Sequence, residues 1–127
     1  MPRDHKKLRV FHLADWMVVE IYGITAHLPD SERFGLQSQL RRAAVSVATN
    51  IVEGSSRPTT REYCRFLHIA HGSARECEYL LNLAVRLSML PPGSTASLAD
   101  SIAHVAACLL SLVRSLANQS DPPGRSP

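Results

Sequence analysis

Apolar residues recur at steps of three and four along most of this chain, the spacing that places them on one face of a helix. Prolines and glycines interrupt the pattern and leave four periodic segments. The predicted helices cover residues 8–27, 32–53, 59–89 and 96–118. No strand-like alternation competes with them. The sequence therefore predicts an all-α fold, an up-down antiparallel four-helix bundle with short loops.

The ends of the predicted helices are inferred from capping side chains and from glycine. Asp30 or Ser31 can cap the second helix through a side-chain oxygen. Gly54 is predicted to stop that helix, because glycine adopts the left-handed conformation without a steric penalty. Thr59 and Glu62 have the spacing of a capping box, in which the Thr59 hydroxyl accepts a hydrogen bond from the Glu62 N–H. The third helix is therefore expected to begin at this pair.

Polar residues of the second helix lie beside its apolar stripe and not opposite it. Projected at about 100° per residue, a group of them falls within an arc of about 80°. This polar strip consists of Gln39, Arg42, Ser46, Asn50 and Glu53. Either these side chains hydrogen-bond to neighbouring helices and fix their register, or they line a groove for a partner. The first interpretation is favoured, because buried polar groups mostly satisfy one another. The predicted structural polar network is Gln39, Ser46, Asn50, Glu53 and Glu76.

The third helix carries apolar or small residues over about 180° of its surface, more than the stripe of an ordinary surface helix. Two explanations are open. The extra width can be buried against another subunit, or the helix can be central, with three neighbours inside a compact monomer. The first explanation is favoured, and the chain is therefore expected to form a homo-oligomer.

Length and composition suit one domain, assigned to residues 1–118 of the 127. Residues 119–127 are rich in serine, proline and glycine and are predicted to be a disordered tail. No secretory signal is visible, and no uninterrupted apolar run approaches the roughly 18 residues that a membrane-spanning helix needs. We therefore expect a cytoplasmic protein without a membrane partner.

The formal net charge is only +3, but positive charge is concentrated. Residues 33–86 contain eight arginines and four glutamates, and the N-terminus adds further cations. Such clustering is compatible with an acidic partner such as RNA or DNA, or with arginine as a general surface cation. Phosphate contact requires accessible cations without strict spacing. The predicted nucleic-acid-binding residues are Arg41, Arg42, Arg57, Arg61, Arg65, Lys6, Lys7 and Arg9.

Other chemistry is weakly indicated. Cys64, His68 and His71 share one face of the third helix, but structural zinc uses four ligands and Arg75 follows one turn later. The glutamates come without a nucleophile motif or a glycine-rich loop. The sequence therefore predicts no catalytic residue, no metal site and no cofactor. A non-enzymatic nucleic-acid-binding protein is the favoured function, and an oligomeric protein–protein scaffold is the alternative.

The order and spacing of residues between about 8 and 90 resemble the 23S rRNA intervening-sequence family. The residues that carry the resemblance are Leu8-Arg9-Val10, Tyr22, Leu28-Pro29, Glu32, Phe34-Gly35-Leu36, the run Gln39 to Val47, Asn50 to Gly54, Arg57, Glu62-Tyr63, Arg65-Phe66-Leu67, Ile69-Ala70, Gly72-Ser73 and Glu76.

The resemblance implies a four-helix bundle that assembles as a ring-like homopentamer. It also implies kinship with the accessory variability determinant of diversity-generating retroelements, a basic pentameric barrel that associates with a reverse transcriptase and with nucleic acid. A reverse transcriptase enters as a partner through this analogy alone. Members of the intervening-sequence family have no settled function.

Overall fold

The computed structural model describes residues 3–119, and within that range it contains four α-helices and no strand. The helices are α1 (Arg9–Thr25), α2 (Leu36–Ser55), α3 (Thr60–Arg86) and α4 (Pro92–Gln119). Short 3-10 helices at His5–Lys7 and Asp30–Glu32 precede α1 and α2. The all-α prediction is confirmed. The predicted tail lies outside the described residues apart from Gln119, which is the last residue of α4.

One core joins the four helices. α1 contacts α2 and α4, and α3 contacts the same two helices from the other side. The predicted apolar stripes face inward, with Met17, Leu40, Leu67 and Leu109 fully buried among them. Each large aliphatic side chain removed from water in this way stabilises the fold by about 1.5–3 kcal/mol before entropic costs.

The wide apolar face of α3 is filled mainly by this chain itself. The residues of α3 that are buried between α2 and α4 are Tyr63, Leu67, Ala70, Ala74, Cys77, Leu80, Leu81 and Ala84. Ile69, an apolar residue of α3 outside this buried set, is 42% exposed. The width of the apolar face therefore gives no separate support for an oligomer.

Gly54 does not stop α2. The helix continues through it to Ser55, and both residues are buried. A Cβ atom on Gly54 would lie 2.9 Å from the Phe66 Cβ and 3.1 Å from the Tyr63 ring. The prediction that Gly54 ends α2 was wrong. Glycine is needed here because α2 and α3 approach each other closely, and not because the backbone is left-handed.

The start of α2 also differs from the prediction. Asp30 and Ser31 belong to a separate 3-10 helix, and α2 begins at Leu36. Glu32 supplies the missing cap, because its carboxylate accepts a hydrogen bond from the Leu36 N–H at 3.0 Å. An acidic group at this position also interacts favourably with the helix dipole.

The connection from α3 to α4 is tighter than predicted. α3 ends at Arg86, and Ser88 adopts a left-handed backbone with φ of 59°. The Met89 N–H donates to the Ala84 carbonyl at 2.9 Å, which closes the helix end in a Schellman-type turn. α4 then begins at Pro92, four residues before the predicted start, because proline is well suited to the first position of a helix.

α4 is long and apolar enough to cross a membrane by length and composition, although Asp100 and Arg114 interrupt its apolar run. This property carries little weight, since core helices share it. In the structure, Leu98, Ile102 and Leu109 of α4 are buried in the core of the four helices.

Candidate nucleic-acid interface

Arg3 ties the N-terminal segment to the connection between α2 and α3. Its guanidinium donates to the Arg57 carbonyl at 3.0 Å and to the Thr60 hydroxyl at 3.0 Å. The same group lies 4.6 Å from the centre of the Tyr63 ring, within cation–π range. The contact joins residues more than 50 positions apart in the sequence, so the N-terminal segment is held beside the turn that carries Arg57.

The capping box that begins α3 fixes this turn. Thr59 accepts from the Glu62 N–H at 3.1 Å, as predicted, and its hydroxyl bonds to the Glu62 carboxylate at 3.0 Å. The prediction is confirmed for the first bond. Arg57 precedes the cap, and Arg61 and Arg65 follow it in the first two turns of α3, so three arginines lie at this end of the helix.

Arg57 and Arg65 both lie over Phe66, at 5.6 Å and 5.8 Å from the ring centre. Arg57 is partly buried, and its Nε has no hydrogen-bond partner among the described residues. Arg61 and Arg65 are exposed. One aromatic ring thus lies within cation–π range of two cations. The sequence does not reveal the Arg57 contact, because that contact depends on the bend before α3.

The N-terminal segment adds three exposed cations. Lys6 and Lys7 lie on the first 3-10 helix, which contacts α2, and Arg9 is the first residue of α1. Asp4 holds the 3-10 helix by accepting from the Lys6 N–H at 3.0 Å. We call the set Arg3, Lys6, Lys7, Arg9, Arg57, Arg61 and Arg65 the basic cluster.

Burial next to this cluster changes two acidities. Desolvation raises the pKa of the Tyr63 hydroxyl, and the nearby positive charge of Arg3 opposes the rise. Desolvation likewise raises the pKa of the Cys64 thiol, again opposed by Arg3. Both groups therefore favour their neutral forms and do not add negative charge to the basic cluster.

Arg41 takes part in a different structure. Its Nε donates to the Thr25 hydroxyl at 2.9 Å, one terminal nitrogen donates to the Tyr22 carbonyl at 3.1 Å, and the guanidinium stacks 4.6 Å from the Tyr22 ring. These contacts satisfy the end of α1, where carbonyl groups lack helical partners. The Arg41 guanidinium is therefore engaged in contacts with α1 of the same chain.

Arg42 is exposed, but it is distant from the basic cluster. The axial rise from Arg42 to Ser55 is about 20 Å for an α-helix. The eight residues predicted to bind nucleic acid thus divide into six that surround the turn before α3 and two, Arg41 and Arg42, that lie far along α2.

Part of the predicted polar network is hydrogen-bonded. Ser46 and Ser73 join α2 to α3 through their hydroxyls at 2.8 Å, and the Asn50 amide donates to the Ser46 hydroxyl at 3.0 Å. Gln39, Glu53 and Glu76 are exposed, and their side chains form no hydrogen bond or ion pair within residues 3–119. Gln39 and Glu76, with Arg42, Ser46 and Ser73, line an open cleft of about 370 Å³ between the two helices.

Across residues 3–119, no group of three or more His, Cys, Asp or Glu side chains has an arrangement that could hold a metal ion. Cys64, His68 and His71 therefore do not form the ligand set that their spacing allowed. All three cysteines are free, and Cys77 is fully buried.

The family model for the 23S rRNA-intervening sequence protein matches residues 6–111. The chain belongs to this family. The match spans the helices from α1 to most of α4 and includes the basic cluster apart from Arg3.

A crystal structure of similar fold comes from Bacteroides thetaiotaomicron, a protein of unknown function from the S23 ribosomal protein family. The two chains are 23% identical, the alignment covers 83% of this chain and 95% of that one, and the TM-score is 0.77. Identity at this level shows a shared fold and nothing further. No curated protein matches the sequence. The chain thus belongs to a family of unknown function, and the similar crystal structure shows that the two proteins share a fold.

Proposed function

We propose that this chain is a cytoplasmic, non-enzymatic protein that binds RNA or DNA through the basic cluster. The observation that carries the proposal is the anchoring of Arg3 on the Arg57 carbonyl at 3.0 Å. This bond joins two segments that are remote in the sequence and that each carry several cations.

The chemistry of the cluster suits a phosphate backbone. Arg61, Arg65, Lys6 and Lys7 are exposed and make no ion pair within the described residues. Phosphate contacts contribute affinity in proportion to the number of accessible cations and depend little on base sequence.

The test is fluorescence anisotropy with labelled RNA and DNA oligonucleotides, single-stranded and duplex, at several salt concentrations. We expect the logarithm of affinity to fall linearly with the logarithm of salt concentration. The double variant Arg61→Ala/Arg65→Ala should weaken binding and reduce this slope by about 0.7 for each single-strand phosphate that the variant no longer neutralises.

Arg33→Ala is the matched control for this experiment. Arg33 is exposed and precedes α2, at the end of that helix away from the basic cluster. The control removes one positive charge and the double variant removes two, so a general charge effect would give Arg33→Ala about half of the loss in binding free energy that the double variant shows. Absence of binding at low salt, or a loss of that size with Arg33→Ala, would refute the proposal.

We further propose that the helices are arranged up-down and antiparallel and that the protein forms a ring-like homo-oligomer, a pentamer by family analogy. Short connections and contacts between successive helices support the first part. Exposed large apolar side chains support the second, with Phe34 at 89%, Val19 at 65% and Tyr79 at 59% exposure. A strictly monomeric mass in light scattering would refute the oligomer.

The alternative function is an oligomeric scaffold for another protein, and the exposed Phe34 is the observation that favours it. A reverse transcriptase remains a predicted partner through the kinship with the accessory variability determinant. Affinity purification after nuclease treatment separates the two functions. One protein retained in stoichiometric amount would support the scaffold, whereas loss of all partners would support nucleic acid.

A further inference from the structure

A cleft of about 750 Å³ opens between α1, the end of the α3–α4 connection and the first turns of α4. Leu90 and Leu98 are buried at its base, and Met89 and Ile24 are partly buried beside them. Trp16 stands at one wall with 45% of its surface exposed. The volume lies in the range of pockets that enclose small organic molecules, which are mostly lined by apolar and aromatic side chains.

Gly23 keeps the α1 wall of this cleft open. A Cβ atom added there would meet no heavy atom within 4 Å, so no packing contact requires glycine at this position. Glycine inside a helix costs up to about 1 kcal/mol relative to alanine. Gly23 lines the cleft on α1 together with Trp16 and His27.

The charge of the cleft differs from that of the rest of the chain. No lysine or arginine lines it, although the chain carries a net charge of +3. Glu20 is its acidic residue, and this carboxylate has no hydrogen-bond or ion-pair partner within residues 3–119. Trp16 and Glu20 are four residues apart on α1, so their side chains are neighbours on one helix face.

We propose that this cleft binds a small organic cation with an apolar body, such as an aryl-alkyl amine. The apolar body would lie on Leu90, Leu98 and Met89, and the ammonium group would lie against the Trp16 ring and the Glu20 carboxylate. Tryptophan is the strongest cation–π partner among the aromatic residues. The proposal does not depend on nucleic-acid binding.

Trp16 is the only tryptophan of the chain and reports directly on this site. The experiment titrates the full chain with 2-phenylethylammonium, 2-phenylethanol and phenylacetate, which share the phenyl group and differ in charge. Trp16 emission and isothermal calorimetry are both recorded. We expect saturable binding of the amine that is about tenfold tighter than that of the alcohol and tighter still than that of the acid.

Two substitutions test the geometry. Glu20→Gln should weaken amine binding about tenfold and leave alcohol binding unchanged, because only the charge interaction is removed. Gly23→Leu should abolish binding of both compounds by placing a side chain in the cleft, while circular dichroism verifies that the helices are retained. Asp15→Asn, which removes an exposed carboxylate outside the cleft, is the matched control and should bind like the unsubstituted chain. Equal affinity for the three compounds, or no saturable heat with the amine, would overturn the proposal.

Discussion

The Arg41 guanidinium closes the end of α1 by donating from Nε to the buried hydroxyl of Thr25 at 2.9 Å. Thr25 in turn donates to the Ile21 carbonyl at 2.6 Å, and its side chain is fully buried. A charged residue of α2 therefore satisfies a polar group in the core of α1. This relationship separates Arg41 from Arg42, its exposed neighbour in the sequence.

We expect Arg41→Ala to lower the free energy of unfolding by about 2 kcal/mol, since it removes two hydrogen bonds and a cation–π contact. Arg42→Ala should change the free energy of unfolding by less than about 0.5 kcal/mol, as is usual for an exposed side chain. Urea denaturation of both variants makes the comparison. If Arg41→Ala and Arg42→Ala lower the free energy of unfolding equally, the contact of Arg41 with Thr25 does not stabilise the fold as proposed.

The repeating patterns of the sequence predicted the helices and their buried faces well, because a helical face is a local property of spacing. The Thr59 cap was likewise local. The roles of Arg3, Gly54 and Arg41 were missed, since each depends on which helices come into contact. The bond between Arg3 and Arg57 is an example. The two residues are more than 50 positions apart, and no local pattern of the sequence indicates that they are in contact.

The contact between α2 and α3 at Gly54 is expected to tolerate no side chain. Gly54→Ala should reduce the free energy of unfolding by about 1–3 kcal/mol, because the new Cβ overlaps the Phe66 Cβ. Gly72→Ala is the matched control, since a Cβ there meets nothing within 4 Å. That substitution should stabilise α3 by up to about 1 kcal/mol through helix propensity alone. Thermal and urea unfolding would give opposite signs for the two variants.

Ser88 occupies the position after α3 where glycine is usually found, with φ of 59°. A non-glycine residue in this left-handed conformation carries a cost of about 1–2 kcal/mol. Ser88→Gly should therefore raise the free energy of unfolding, by about 0.5–1 kcal/mol after the added flexibility of the unfolded chain is subtracted. Ser94→Gly, in the first turn of α4, serves as a comparison and should destabilise. A decrease for Ser88→Gly would contradict the strain assigned to this turn.

The buried thiol of Cys77 should make stability decline in alkaline solution. Desolvation raises the pKa of Cys77 from 9.0 to about 12, and the charges of Glu76 and Glu78 add to the rise. The unfolded chain therefore loses this proton above about pH 9, whereas the folded chain keeps it until about pH 12. Since the unfolded state then binds fewer protons, the free energy of unfolding falls as the pH rises, by up to about 1.4 kcal/mol per pH unit from this group.

The measurement is urea denaturation at a series of pH values from neutral to strongly alkaline, for the unsubstituted chain and for Cys77→Ala. The variant is expected to be less stable at neutral pH, because it leaves a small cavity in the core. Its stability should nevertheless fall less steeply above pH 9, since the titrating thiol is gone. Cys108→Ala, which removes a partly exposed thiol, controls for the loss of a cysteine and should keep the steep decline. Parallel slopes for the unsubstituted chain and Cys77→Ala would exclude the buried thiol as the cause.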